Sequence, residues 1–166
     1  SSDVCSSDLP SLAESWSIAP DGMTVDVVLR DGLKFSDGHP LTSDDVIFTL
    51  NAIYDERTHA PEFRDAMLVD DKPIAASKVD DRKLQLKFPK VVAGVENYLV
   101  NIGVLPQHSL KPLADAGKLG EAWKINTSPS SIVTSGPFTV TEVKAGERVE
   151  LARNPNFWKR DAAGTQ

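Results

Sequence analysis

Alternating apolar and polar positions predict three β-hairpins along the chain. Val25, Val27 and Leu29 fall on one face of the segment 24–30, which is the pattern of a half-buried strand, and a Pro-Asp-Gly turn precedes it. A second pair of segments alternates strongly around Asp80-Asp81, and a third pair flanks a turn at 145–147. The predicted hairpins join residues 11–18 to 24–30, 75–79 to 83–88, and 138–144 to 148–153.

One helix has a well-marked start and a clear apolar face. Thr42 or Ser43 can cap its first free amides, and two aspartates follow in the first turn, where the helix dipole favours negative charge. Apolar residues then recur at helical spacing to about residue 55, which predicts that this face packs on a sheet. The face consists of Val46, Leu50, Ile53 and Tyr54.

The remaining segments have weaker patterns. Residues 56–73 are predicted to form a loop with about one helical turn, and residues 95–102 fit either a helix or a strand. Residues 105–108 are interpreted as a break, followed over 109–124 by short helical pieces interrupted by Pro112, Gly117 and Gly120. The predicted fold class is therefore α+β, with antiparallel hairpins and few helices.

Composition excludes several classes of function. The chain has 166 residues, and 18 lysines and arginines against 24 aspartates and glutamates give a net charge of −6, so nucleic acid is not predicted as a partner. The longest apolar run, residues 66–69, is far shorter than the roughly 20 residues of a membrane span. The single cysteine, Cys5, cannot form an internal disulfide or a zinc site of several thiolates. Residues 1–9 repeat Ser-Ser-Asp and are interpreted as a non-native tail.

No catalytic residue, metal site or cofactor site is predicted. Asp44 and Asp45 are helical neighbours that point about 100° apart, so they fit dipole partners better than an acid–base pair. His39, His59 and His108 lie in unrelated turns or loops without metal-ligand spacing. The glycines match neither the nucleophile elbow nor the dinucleotide and phosphate-loop spacings. Two alternatives stay open: a hydrolase or transferase that uses Asp44, Asp45 and His39, and a noncatalytic β-rich partner-binding module.

Two places are candidates for ligand contact. Phe63 lies in a segment without clear secondary structure, where an aromatic side chain can reach into a pocket, although core packing is the alternative. Ser135 and Gly136 precede Pro137, and a glycine there can leave backbone amides open to a carbonyl or carboxylate. The same residues equally suit a plain entry into the following strand.

Five blocks of sequence, in order, resemble the family 5 extracellular solute-binding proteins, the oligopeptide, dipeptide and nickel class that serves ABC importers. The most recognisable block reads VVLRDGLKFSDGHPLTSDDVIF. Each block alone is a weak signal, but all five in register cover nearly the whole chain. They span residues 10–16, 27–48, 104–108, 132–138 and 148–158.

The resemblance implies a class II periplasmic-binding-protein-like fold, with two lobes and an added subdomain. Residues 10–133 would form mainly that subdomain of the N-terminal lobe, and residues 134–166 would begin the return into the first lobe, so the chain is expected to be a fragment. An aromatic residue of the family maps loosely onto Phe63, and its Thr-Gly-Pro loop maps onto 134–137 with one inserted or substituted residue.

The resemblance also implies a function without catalysis. The protein would capture peptides or similar small solutes in the periplasm or outside the cell and deliver them to a membrane permease. Any lipid anchor would lie outside this chain, and so would the residues that choose between an oligopeptide, dipeptide, sugar, opine or metal chelate. Separated from its lobes, the fragment is expected to fold weakly or in a concentration-dependent way.

Overall fold

The computed structural model describes residues 12–99, 102–121, 132–144 and 146–158. Helices and strands both occur, as the α+β prediction requires. The strands are β1 (Ala13–Ile18), β2 (Thr24–Leu29), β3 (Ala75–Lys78), β4 (Lys83–Lys87), β5 (Phe138–Lys144) and β6 (Arg148–Arg153). The helices are α1 (Ser43–Tyr54), α2 (Pro61–Ala66), α3 (Val95–Leu99) and α4 (Gln107–Asp115), with 3₁₀ turns at Glu56–Thr58 and Leu119–Glu121.

The first four strands form one antiparallel sheet in the order β1-β2-β4-β3. All three predicted hairpins are present, and pairing of β2 with β4 joins the first two of them into this sheet. Val27 of β2 lies opposite Trp16 on one side and Leu84 on the other. The alternating residues of β2 and β4 supply the core, since Val25, Val27, Leu29, Leu84 and Leu86 are all buried.

Helix α1 packs on this core through the predicted face. Val46 and Leu50 are buried, while Ile53 and Tyr54 are partly buried against the same cluster. Thr42 is the N-cap residue, and its backbone N–H donates to Asp45 Oδ2 at 2.9 Å. The helix therefore begins where its capping signals predict.

The structure decides the three segments whose sequence patterns are weak. The helical turn predicted within 56–73 is present as the short helix α2, and residues 95–99 of the ambiguous segment are helical. The predicted break at 105–108 is wrong in part, because α4 begins at Gln107 and continues through Pro112. Pro112 removes one backbone donor. The helix persists because its first amide is bound by Asp45 of α1 and Leu110 is buried beside Ala52 and Leu119.

Strands β5 and β6 form a separate two-stranded sheet. The chain that leads into β5 is hydrogen-bonded to the main body, since Ser36 N–H donates to Thr134 O at 2.8 Å. Asn154 is buried, and its Nδ2 donates to Gly136 O at 2.8 Å. Residues 1–9, interpreted as a tail, lie outside the described part. Within the described residues, no helix combines the length and the apolar character that a membrane span needs.

Candidate functional site

Phe63 lies at the rim of an apolar pocket formed by α1, α2 and the segments around residues 103 and 119. Pro61 at the first position of α2 starts the helix that carries the ring, and the Phe63 side chain is 62% exposed. The pocket has a volume of about 330 Å³. We call it the Phe63 pocket, and its other lining residues are Thr49, Ala52, Ile53, Thr58, Ala60, Gly103, Leu105, Leu119 and Gly120.

The two threonines of the Phe63 pocket have their hydroxyl protons committed to the backbone. Thr49 Oγ1 donates to Asp45 O at 2.7 Å and accepts from Leu105 N at 2.8 Å. Thr58 Oγ1 donates to Ala52 O at 2.7 Å. Among the described residues, no charged side chain lines the pocket. The arrangement suits an apolar group, while the role of Phe63 in ligand contact stays a prediction.

The Ser135–Gly136 turn is built differently from its sequence-based interpretation. Gly136 N–H donates to Thr134 Oγ1 at 3.0 Å, and Gly136 O accepts from Asn154, so the amide that was expected to be open is already bonded. Ser135 is only 3% exposed, and its Oγ has no hydrogen-bond partner among the described residues. Neither residue lines the Phe63 pocket, and ligand contact at this turn also stays a prediction.

A second cleft of about 720 Å³, lined mostly by polar and charged side chains, lies where residues 39–42 meet the start of α4. His39 and His108 stack there with ring centroids 3.8 Å apart, and His108 Nε2 lies 2.6 Å from Asp37 Oδ2. The expectation that His39 and His108 lie in unrelated loops is therefore wrong, because the fold brings His108 against His39 and against Asp37, which lies 71 positions before it. Partial burial raises the pKa of Asp37, but hydrogen bonds from His108 and from the His39 amide outweigh it and lower the pKa overall.

The aspartates at the start of α1 are engaged in structural contacts. Asp45 is buried; its Oδ2 accepts from Thr42 N, and its Oδ1 accepts from Gln107 N at 2.9 Å. Burial raises the pKa of Asp45 above its usual value, against the opposing effect of these two amides. Asp44 Oδ2 instead pairs with Lys78 Nζ at 2.7 Å. Within the described ranges, no group of three or more His, Cys, Asp or Glu side chains is placed to hold a metal ion.

The histidine–aspartate cluster escaped sequence reasoning because no local signal links its members. Asp37 and His39 belong to the turn before α1, and His108 belongs to α4. The proximity of these side chains depends on how α4 packs beside α1.

Comparison with known proteins identifies the family. Residues 9–165 match the model described as bacterial extracellular solute-binding proteins, family 5 middle. The chain belongs to this family. Its members are solute-binding proteins, and the fold is that of part of a class II periplasmic binding protein, as the resemblance implies.

Individual relatives support the assignment over most of the chain. A probable ABC transporter-binding protein of Deinococcus radiodurans is 37% identical over 162 residues, which cover 93% of this chain and 27% of the relative. The periplasmic oligopeptide-binding protein OppA of Escherichia coli is 31% identical, with coverages of 95% and 30%.

A solved structure supports the fold. The ABC transporter substrate-binding protein CtaP of Listeria monocytogenes superposes with a TM-score of 0.75 and 34% identity, over 89% of this chain and 28% of that one. The chain thus spans less than a third of the length of each of these relatives.

Proposed function

We propose that this chain is part of the substrate-binding component of an ABC importer. The component captures peptides or similar small solutes and delivers them to permease subunits in the membrane. The family match over residues 9–165 carries the proposal, supported by 31% identity to a protein named as oligopeptide-binding. Selective binding would come from closure of two lobes around the solute.

The division of the chain is part of the proposal. Residues 10–133 form mainly the added subdomain, and residues 134–166 begin the return into the first lobe. In support, β1 to β4 and helices α1 and α3 contribute to one buried cluster, whereas β5 and β6 make a separate sheet. The turn at Ser135 and Gly136 lies at the boundary, where Thr134 bonds with Ser36 in both directions.

Location and chemistry follow from the same proposal. The protein acts in the periplasm or outside the cell, and it meets the membrane only through the permease or an anchor beyond this chain. It binds without catalysis and without a cofactor. In support, Asp44 and Asp45, which an acid–base mechanism would need, are committed to Lys78 and to two backbone amides.

Ligand-dependent stabilisation of the full-length protein tests this function. A panel of di-, tri- and pentapeptides, including pentaalanine and its five single-leucine variants, would be added to the purified protein before thermal unfolding. A peptide at about 100 times its Kd contributes about 2.7 kcal/mol, which raises Tm measurably. We expect such an increase, with peptide masses unchanged after incubation. A rise in Tm with sugars or metal chelates alone, or cleavage of the peptides, would contradict the proposal.

A further inference from the structure

We propose that the turn at residues 35–39 couples the β5–β6 hairpin to helix α4, so that a displacement of either element is transmitted to the other. Ser36 of this turn holds the base of the hairpin, and the next residue, Asp37, holds His108 of α4. This coupling goes beyond the proposed function and does not depend on which solute the full-length protein binds.

Ser36 bonds with both chain segments that flank the hairpin. Ser36 N–H donates to Thr134 O at 2.8 Å, and Thr134 N–H donates to Ser36 Oγ at 3.1 Å. From the other flank, Asn156 Nδ2 donates to Ser36 O at 3.2 Å. The two flanks are also joined to each other, because Asn154 N–H donates to Pro137 O at 2.8 Å. The base of the hairpin is therefore attached to the turn through one residue.

Asp37 makes the corresponding attachment to α4. Its Oδ2 lies 2.6 Å from His108 Nε2, and its Oδ1 accepts from the His39 amide at 3.0 Å. The His39 ring stacks on the His108 ring with centroids 3.8 Å apart, and the Phe35 ring lies 5.5 Å from the His108 ring. The turn therefore contacts the first residues of α4 through a hydrogen bond and two ring contacts.

The turn itself is closed by internal hydrogen bonds. Phe35 N–H donates to His39 O and Gly38 N–H donates to Phe35 O, both at 2.9 Å, and Phe35 is fully buried in the core. Gly38 has a φ of 84°, which a glycine adopts without strain. Only one planar peptide bond separates Ser36 from Asp37, so a displacement of the first residue also displaces the second.

The coupling connects a surface of the segment to a cleft. The hairpin exposes Val149 and Leu151, and α4 contributes His108, Lys111 and Asp115 to the lining of the second cleft. A contact made on the hairpin would therefore change the wall of that cleft through the turn, without touching it directly.

Hydrogen exchange in the full-length protein tests the coupling, because it reports each element separately. Asn156→Ala removes the bond to Ser36 O, and we expect exchange to become on the order of fivefold faster in α4 as well as in the hairpin. His108→Ala removes the bond to Asp37 and should accelerate exchange in the hairpin as well as in α4. A purely local role would change only the element beside the substitution.

Thr141→Val is the matched control for the hairpin. Thr141 Oγ1 donates to Glu150 O at 3.2 Å between the two strands, and neither residue contacts the turn. This variant should accelerate exchange in the hairpin and leave α4 within about a factor of two of wild type. Ser36→Ala is a milder test, since it removes only the acceptor of the Thr134 amide and should act in the same direction as Asn156→Ala. Thermal unfolding would show that each variant is folded.

The double variant Asn156→Ala with His108→Ala tests whether the effect passes through the turn. The two side chains share no hydrogen bond or ring contact in the described part of the chain, and His108→Ala leaves the bond between Asp37 and the His39 amide in place. Once His108 is absent, Asn156→Ala should change exchange in α4 by less than about twofold. Asn156→Ala with Tyr54→Phe is the control pair, and its two effects should multiply within about a factor of two.

The coupling is refuted if folded Asn156→Ala leaves exchange in α4 unchanged, or if its effect there simply multiplies with that of His108→Ala. An equal acceleration across strands β1 to β4 would also refute it, because the substitution would then act on the whole segment. These outcomes are obtained whether or not the protein binds a peptide, so failure of the coupling is distinct from failure of the proposed function.

Discussion

Asp45 connects the starts of two helices through one carboxylate. Its Oδ2 accepts the amide of Thr42 at the start of α1, and its Oδ1 accepts the amide of Gln107 at the start of α4, 62 residues away. Buried charge is unfavourable, and the raised pKa of Asp45 records that cost. The two amides offset it, since each would otherwise lack a partner at a helix terminus.

Replacement of Asp45 by alanine tests this connection. Asp45→Ala leaves two backbone donors without their acceptor, so we expect a loss of about 3 kcal/mol in the free energy of unfolding. Hydrogen exchange in the full-length protein should show the loss mainly as faster exchange in residues 107–115. The matched control is Asp44→Ala, which removes only a partly exposed ion pair with Lys78 and should cost less than about 1 kcal/mol. Equal effects of the two substitutions would contradict the role assigned to Asp45.

At the scale of elements, local pattern predicts strands and the long helix well. Val25, Val27 and Leu29 repeat with the period of a strand, and the capping signals at Thr42 place the start of α1 correctly. Such features depend on residues that are close in sequence, so the local sequence is sufficient to predict them.

The features that sequence reasoning missed depend on distant partners. Helix α4 contains Pro112, and its first residues have the sequence pattern of a break between elements. The helix is stabilised by Asp45 of α1, which accepts a hydrogen bond from the Gln107 amide. The stack of His39 on His108 depends on the same docking. The local sequence predicts Phe63 as a candidate ligand contact, but it does not predict the pocket beside that ring, because α1 and distant segments supply the lining.

Tyr54 joins the end of α1 to the chain that leads into β3, and its hydroxyl can be tested alone. The hydroxyl donates to Met67 O at 2.9 Å and accepts from Ile74 N at 3.0 Å. Tyr54→Phe removes both bonds and leaves a buried donor without a partner, so we expect a loss of about 1–3 kcal/mol in the free energy of unfolding. Tyr98→Phe is the control, since the Tyr98 hydroxyl forms no hydrogen bond in the described structure and its ring packs on Phe88. Urea unfolding of both variants would measure the difference, and a loss no larger than that of the control would refute this assignment.

At the scale of the whole molecule, the β5–β6 hairpin stands apart from the well-buried core. Val140 lies opposite Leu151 and Val143 lies opposite Val149, so these four residues share one face of the hairpin. Leu151 and Val149 are 58% and 59% exposed. An exposed apolar face of this kind is typical of a surface that packs against another part of a protein. The chain spans less than a third of the length of its relatives.

The exposed face predicts how the segment behaves when it is separated from the rest of its protein. We expect residues 10–166 alone to associate as concentration rises, because apolar side chains gain by leaving water. Sedimentation velocity over a range of concentrations would measure the association. Val149→Lys together with Leu151→Lys should reduce it, since charge on the face opposes its burial. The control pair, Arg148→Lys with Glu150→Gln, alters the same strand without changing its apolar residues. A sharp, cooperative melt of a monomer at every concentration would contradict this prediction. It would show that the buried core alone keeps the segment folded and monomeric while the apolar face of the hairpin stays exposed to water.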